Sequence, residues 1–512
     1  MRDRIKAKRR GNLVRPPEIA TLLLVARNDT IKKISSLKQE KIMSFFKKKS
    51  FESVKEIGSS SGLSKTLGAF DLILLSLGAM VGTGVFVVTG IIAAKFSGPA
   101  VMISYMIAGI TCIFVALVYT ELVAMLPTSG SIYTYSYVAF GEVFAWMIGS
   151  VIILELGVSA GIVAAGWSGY IQGILEAGGV YLPKALTTVP SNGGVINLPA
   201  FLISAFIGFI LFLGTKDSKK INAILVFVKM AAIFAFVVAA APHFDATNWS
   251  NFMPFGFGGV VMGSSILFLA FTGFGTIATA AEECKNPKRD IMIGIIGSLV
   301  LTTLVYVVMS GLVTGIAPFD QLNNDRPLAY ALTINNSKIG SAIVSTGAVC
   351  GMMTVLMMNI YGTSRIFYAI ARDGLLPKSF AKLHPKYDSP YVTIIIFSAL
   401  AAFLGGFCPT EIITQLTSMG ALIDYIVVAI IVMMFRIKLP TAQRAFKCPI
   451  VFVIAPFILF ACIYLLLTQM YGDEIYKGNF NILTAGCALI YWFITIFVLY
   501  IIRSFFMKEE QN

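Results

Sequence analysis

Gly78-Ala79-Met80-Val81-Gly82-Thr83-Gly84-Val85-Phe86 lies in the middle of the first long apolar stretch of the chain. These residue types suit binding rather than bond-making. Glycines make a helix cheap to interrupt, and broken backbone at membrane depth survives only inside protein or lining a cavity. A break there leaves free N–H and C=O groups facing one another, which suits a zwitterion. Ala270-Phe271-Thr272-Gly273-Phe274-Gly275-Thr276, in the sixth apolar stretch, repeats the pattern of glycines with hydroxyl residues. Paired interruptions at matching places in two halves of a chain are the sequence pointer to a transport site. Gly78 and Gly82 also form a GxxxG face, and close helix packing is the plainer explanation of that spacing taken alone.

Few ionisable side chains fall inside apolar stretches, and each has a structural alternative. Lys229 stands nine residues beyond Lys220, about 13 Å deeper along a helix. A lysine there costs roughly 2.5–3.5 kcal/mol unless it is paired or neutral. It is either a structural lysine bonded to carbonyls or a proton-linked element touching the first break. Glu155 and Asp424 also fall near mid-depth, as carriers of a proton or as neutral acids hydrogen-bonded in a bundle. Asp424 is in addition a candidate to face a cationic group of a substrate. Glu121 sits nearer a helix end and reads as structural. Phe271 and Phe274 flank the second break; Phe274 is the candidate lid, against ordinary packing.

These residues need long helices to hold them, and the composition supplies them. The 512-residue chain is 57% hydrophobic and 13% charged, about half the charged share of a soluble protein. Its apolar residues come in blocks near the ~20 needed to span a bilayer. Helices are expected near 67–95, 99–126, 142–171, 198–215, 221–242 and 257–284. A second set is expected near 290–316, 339–371, 391–407, 412–436, 450–471 and 482–504. The fold class is thus an all-α polytopic membrane protein of about twelve transmembrane helices. Residues 67–242 and 257–436 form two five-helix halves, headed by the broken first and sixth helices. An odd number of spans per half inverts one half relative to the other. Residues 450–504 add two trailing helices, with tails at 1–66 and 505–512.

The formal charge of +14 does not point to nucleic acid. Part of it sits in the first fifty residues, where residues 1–42 lack the organisation of a signal peptide and Met43 offers an alternative start. The rest gathers in alternate loops at 216–220, 283–290, 372–390 and 436–449, which places both termini in the cytoplasm. Seven cysteines and two histidines are scattered, supporting neither a metal site nor a disulfide framework. No HExxH, GxSxG or paired histidines appear, so membrane-embedded enzyme chemistry has no residues to perform it. A channel or a nutrient receptor would not need two broken helices.

Longer motifs point to a family. Gly82-Thr83-Gly84-Val85-Phe86, then Tyr119-Thr120-Glu121-Leu122 with Pro127-Thr128-Ser129-Gly130-Ser131-Ile132-Tyr133-Thr134-Tyr135, resemble the amino acid–polyamine–organocation superfamily. Ala280-Ala281-Glu282-Glu283-Cys284-Lys285-Asn286-Pro287-Lys288-Arg289 is similar to its second signature. Arg365-Ile366-Phe367-Tyr368-Ala369-Ile370-Ala371-Arg372-Asp373-Gly374-Leu375-Leu376-Pro377 and Ala445-Phe446-Lys447-Cys448-Pro449 resemble the bacterial branch of the cationic amino acid transporter family.

That resemblance implies a LeuT-like fold and a permease that imports amino acids by alternating access with protons, without a cofactor or metal; an amino acid or polyamine exchanger is the alternative. It implies that the substrate carboxylate meets backbone N–H groups and the hydroxyl around Gly82, Thr83 and Gly84, with Val81 in the same substrate site. The ammonium would meet carbonyls of Met80 and of Leu269, Ala270 or Thr272. Lys229 matches a lysine that stands where sodium-coupled relatives bind an ion, and Glu155 matches an acid common in the branch. Two positions depart from the pattern. Gly275 stands where an aspartate is usual, and Asp424 where a small residue is usual, as if a carboxylate had moved across the cavity.

Overall fold

The computed structural model describes residues 48–52, 68–126, 128, 130–213, 218–275, 284–387, 389–444, 446–477 and 485–506. The expectations for most of the N-terminal tail with its two candidate starts, for 276–283, and for the end of the C-terminal tail lie outside these residues. The described chain is overwhelmingly helical and contains no β-strand. In chain order, α1 spans Ala69–Met80 and winding resumes over 84–97. Then come α2 (Val101–Met125), α3 (Ser131–Ala139), α4 (Glu142–Ala177), α5 (Leu198–Phe212) and α6 (Ser218–Ala240). α7 (Gly256–Leu267) runs into a tight 3-10 turn, Phe268–Phe271. α8 (Pro287–Ile316), α9 (Pro327–Ile334), α10 (Lys338–Arg372), α11 (Tyr391–Phe407) and α12 (Thr410–Lys438) follow, with α13 (Val451–Lys477) and α14 (Ala485–Phe506) last.

Among the described residues eight helices are long and apolar enough to cross a membrane, and four more are apolar but shorter. Two of the short ones are α1 and α7, the arms that end at the two interruptions. A break divides one apolar stretch into two shorter helices, so length alone undercounts such segments. The sequence expectation did not separate the small helices α3 and α9.

Apolar side chains fill the interior, whereas Phe460, Tyr491 and Phe497 on α13 and α14 remain exposed, as side chains facing lipid do. One buried ionic knot ties the helices together. The Glu121 carboxylate of α2 accepts from Arg436 Nε and Nη2, both at 2.7 Å, from Arg444 Nε at 2.9 Å and from the Cys448 N–H at 2.8 Å. It joins α2 to the end of α12 and to the loop before α13. This is the structural role expected for Glu121, and the hydrogen bonds on both oxygens are what make so buried a carboxylate tolerable.

Candidate functional site

The two interruptions meet face to face. α1 stops at Met80, Val81 turns extended, and the chain resumes as a wide π-wound stretch at Gly84. Beyond α7 the 3-10 turn ends at Thr272, which is extended, and Gly273 takes φ +112°. A Cβ on Gly84 would come within 2.5 Å of the Ala270 Cβ, and one on Gly273 within 3.0 Å of the Ala79 Cβ. Glycine is therefore required at both places, for close approach at Gly84 and for approach and backbone angle together at Gly273.

Side chains from the surrounding helices bond to carbonyls at the breaks and just beyond them. Lys229 of α6 is fully buried, and its ammonium donates to Gly78 O and Val81 O, each at 2.8 Å. The Tyr306 hydroxyl of α8 lies 3.0 Å from Met80 O and 2.9 Å from Ala270 O, so its one proton serves both breaks. Tyr105 of α2 donates to Gly84 O at 2.8 Å, and Tyr170 of α4 to Phe86 O at 2.7 Å. Thr272 donates its hydroxyl to Leu269 O at 2.7 Å. Three tyrosines that sequence reasoning passed over thus hold the interrupted backbone. Their signal was available: a tyrosine within an apolar span needs a partner for its hydroxyl.

The residues expected to bind a substrate separate into two groups. Met80, Val81, Gly82, Thr83, Gly84, Leu269, Ala270 and Thr272 are buried at the junction of the two breaks. In this conformation the carbonyls of Met80, Leu269 and Ala270 already accept internal hydrogen bonds. The N–H groups of Gly82 to Gly84 open the resumed helix, where donors are in excess as at any helix start. Thr83 is buried with its methyl group toward Gly166 of α4.

Phe274, Glu155 and Asp424 line a cavity beside the second break, which the first break does not reach. Phe274 forms its wall, packed edge-on against Tyr119 at 5.5 Å and tilted against Tyr425 at 5.6 Å. Glu155 lies in a π-wound stretch of α4, Ile153–Val158. Gly420 lets α12 pass close to it: a Cβ there would meet the Glu155 N at 3.0 Å. Asp424, one turn further along α12, thereby reaches the same cavity. Both acids are at least nine-tenths buried. Neither the Asp424 Oδ1 nor the Tyr425 hydroxyl has a hydrogen-bond partner among the described residues. Gly275 also lines this space, with the Tyr119 hydroxyl 3.3 Å from where its Cβ would stand. Arg365 of α10 lies at the exposed mouth, its guanidinium 4.2 Å over the Tyr361 ring.

On the far side of the breaks, Lys95 pairs with Glu411 at the start of α12. That contact links the stretch after the first break to α12 across a second cavity lined by Ile91, Phe96 and Thr414. No group of histidines, cysteines and acids among the described residues is placed to hold a metal ion.

Known proteins share this chain's sequence over nearly the whole of its helical part. The amino acid permease family matches residues 67–499. The chain is 41% identical over 432 residues to a branched-chain amino acid permease, BcaP, of Bacillus subtilis (strain 168), covering 83% of this chain and 92% of that protein. It is 38% identical over 410 residues to a methylthioribose transporter of the same organism, covering 80% and 89%. With cationic amino acid transporter 4 of Mus musculus it shares 34% identity over 413 residues, 77% of this chain and 64% of that one. Two interrupted helices joined at mid-bundle, in a chain so matched, make this a multi-pass membrane transporter of amino acids and not an enzyme; the chain belongs to the amino acid permease family.

Proposed function

We propose that the protein imports amino acids across the cytoplasmic membrane by alternating access, coupled to protons, with both termini and the basic loops inside. The observation that carries this is the junction of the two breaks, with the Lys229 ammonium on Gly78 O and Val81 O. A cation from a neighbouring helix, fixed on broken backbone, supplies the charge that a coupling metal ion would otherwise supply. The N–H groups of Gly82 to Gly84, with the Thr83 hydroxyl, receive the substrate carboxylate. The carbonyls of Met80, Leu269 and Ala270 receive its ammonium once the Tyr306 and Thr272 hydroxyls turn away. Glu155 and Lys229 carry the coupling proton. Phe274 covers the bound molecule, and Asp424 inclines the adjoining cavity toward a cationic group. The two halves act as inverted repeats rocking about this junction. Relatives named for branched-chain and for cationic amino acids bracket the side chains to be tested.

Uptake of a radiolabelled amino acid panel into proteoliposomes, with and without an inward proton gradient, tests the proposal. Accumulation that follows the gradient supports it. Uptake that ignores the gradient but requires amino acid inside would make the protein an exchanger and Lys229 a purely structural residue.

A further inference from the structure

The cavity beside the second break is lined by acidic and basic side chains, the acids buried and the base exposed. Asp424 and Glu155 lie at its closed end, and Arg365 at its mouth. Among the described residues Arg365 has no carboxylate partner, and its guanidinium rests only on the Tyr361 ring. Asp424 Oδ1 and the Tyr425 hydroxyl, both buried and both on this wall, lack partners as well. A buried polar atom without a partner costs about 1–3 kcal/mol, so a guest that satisfied these groups would be held firmly. The carbonyls at the junction of the breaks are in the opposite condition, already taken by Tyr306, Thr272 and Lys229.

We propose that this cavity is a second amino acid station on the way out of the central site, with Arg365 holding the α-carboxylate and Asp424 and Glu155 the ammonium. The inference rests on the reading that the two breaks form the central site. An amino acid zwitterion matches the layout in charge: its carboxylate forms a forked pair with a guanidinium, and its ammonium donates to the two acids and the Tyr425 hydroxyl. Ile132, Ile152 and Met358 leave an apolar wall for the side chain. Phe274 lines the station beside the second break, its ring packed against Tyr119 and Tyr425. A substrate released from the junction would then not face solvent at once. It would pause in a site where the Asp424 Oδ1 and the Tyr425 hydroxyl have no partner among the described residues.

The test is saturation binding of a radiolabelled mixture of the protein amino acids to the full-length protein in nanodiscs, run beside uptake in proteoliposomes. The wild-type chain should hold about twice as much label at saturation as Arg365→Gln or Asp424→Asn. Arg365→Lys, which keeps the charge and loses the fork, should hold the second label with weaker affinity. Equal saturation in wild type and Arg365→Gln, with gradient-driven uptake intact, would overturn the station and leave the proposed function standing. Absence of both binding and uptake in the wild type would overturn the two together. A variant that merely misfolds is recognised by loss of all label, whereas the station predicts that one site survives.

Discussion

The Lys229 ammonium lies 2.8 Å from the carbonyl oxygen of Gly78, so a side chain of α6 caps the end of α1 where its helix stops. The same ammonium reaches Val81 O, and the Thr354 hydroxyl of α10 stands 3.5 Å away. One buried cation therefore joins three helices through the broken backbone of the first.

Replacing Lys229 with alanine strips a donor from two buried carbonyls; Gly78 O keeps the Thr354 hydroxyl at 3.3 Å, and Val81 O is left unsatisfied, at about 1–3 kcal/mol. The expected outcome is loss of gradient-driven accumulation, while exchange of labelled for unlabelled amino acid persists. Proteoliposomes measured in both modes check it. Full accumulation by Lys229→Ala would show that Lys229 does not carry the coupling.

Tyr306→Phe keeps the ring, which packs 5.0 Å from Tyr105 and 5.3 Å from Phe271, and removes only the hydroxyl. In the proposed mechanism that hydroxyl stands in for the substrate ammonium on Met80 O and Ala270 O when the site is empty. Without it the empty carrier is destabilised relative to the loaded one by about 1–3 kcal/mol. Net uptake should fall at least several-fold, with exchange retained and KM lowered. An unchanged KM with unchanged net uptake would refute the stand-in role.

Two ion pairs at opposite faces should differ sharply in worth. Glu121 is buried under two arginines, and Glu121→Gln leaves them without a counter-charge, a loss of about 3–5 kcal/mol for a broken buried pair. The Lys95–Glu411 pair is largely exposed, so Lys95→Ala should cost under about 1 kcal/mol. Thermal unfolding in detergent compares them. Cys448 offers a local readout, because burial, helped by the Glu121 carboxylate and opposed by Arg436, pushes its thiol up to about 11. Maleimide reacts with the thiolate, so labelling should be slow at neutral pH and rise about tenfold per pH unit below that value. Glu121→Gln should speed labelling at neutral pH, since the Cys448 N–H loses an anionic acceptor and the loop opens.

Much of this arrangement is legible in the residues themselves. Glycines around Thr83 and Thr272 announce interruptions because few other residues tolerate them, and a lysine as deep as Lys229 announces a partner because its burial is costly. The partners are not legible. That Tyr105, Tyr170 and Tyr306 need partners follows from their hydroxyls, but which carbonyl each meets depends on how the helices cross. The π-wound stretches at Gly84–Val88 and Ile153–Val158 leave no pattern in hydrophobicity, yet the second sets the direction of Glu155. The place of Asp424 on its cavity depends likewise on the approach of α12 at Gly420, a glycine whose purpose appears only when Leu154 is seen 2.9 Å from its absent Cβ.

Gly273 and Gly374 separate the cost of backbone strain from the cost of contact. Both have positive φ, +112° and +79°, and an L side chain there is strained by about 1–2 kcal/mol. At Gly374 nothing lies within 4 Å of an added Cβ, so strain is the whole penalty. At Gly273 the Cβ would meet the Cβ and backbone of Ala79 at 3.0–3.1 Å, and α1 has no room to retreat while Lys229 and Tyr306 hold its end. Gly374→Ala should therefore lose a few degrees of thermal stability and keep its uptake. Gly273→Ala should lose uptake out of proportion to its stability, because the two breaks can no longer close on each other. Equal losses in the two variants would mean that the close approach of Gly273 to Ala79 has no part in transport.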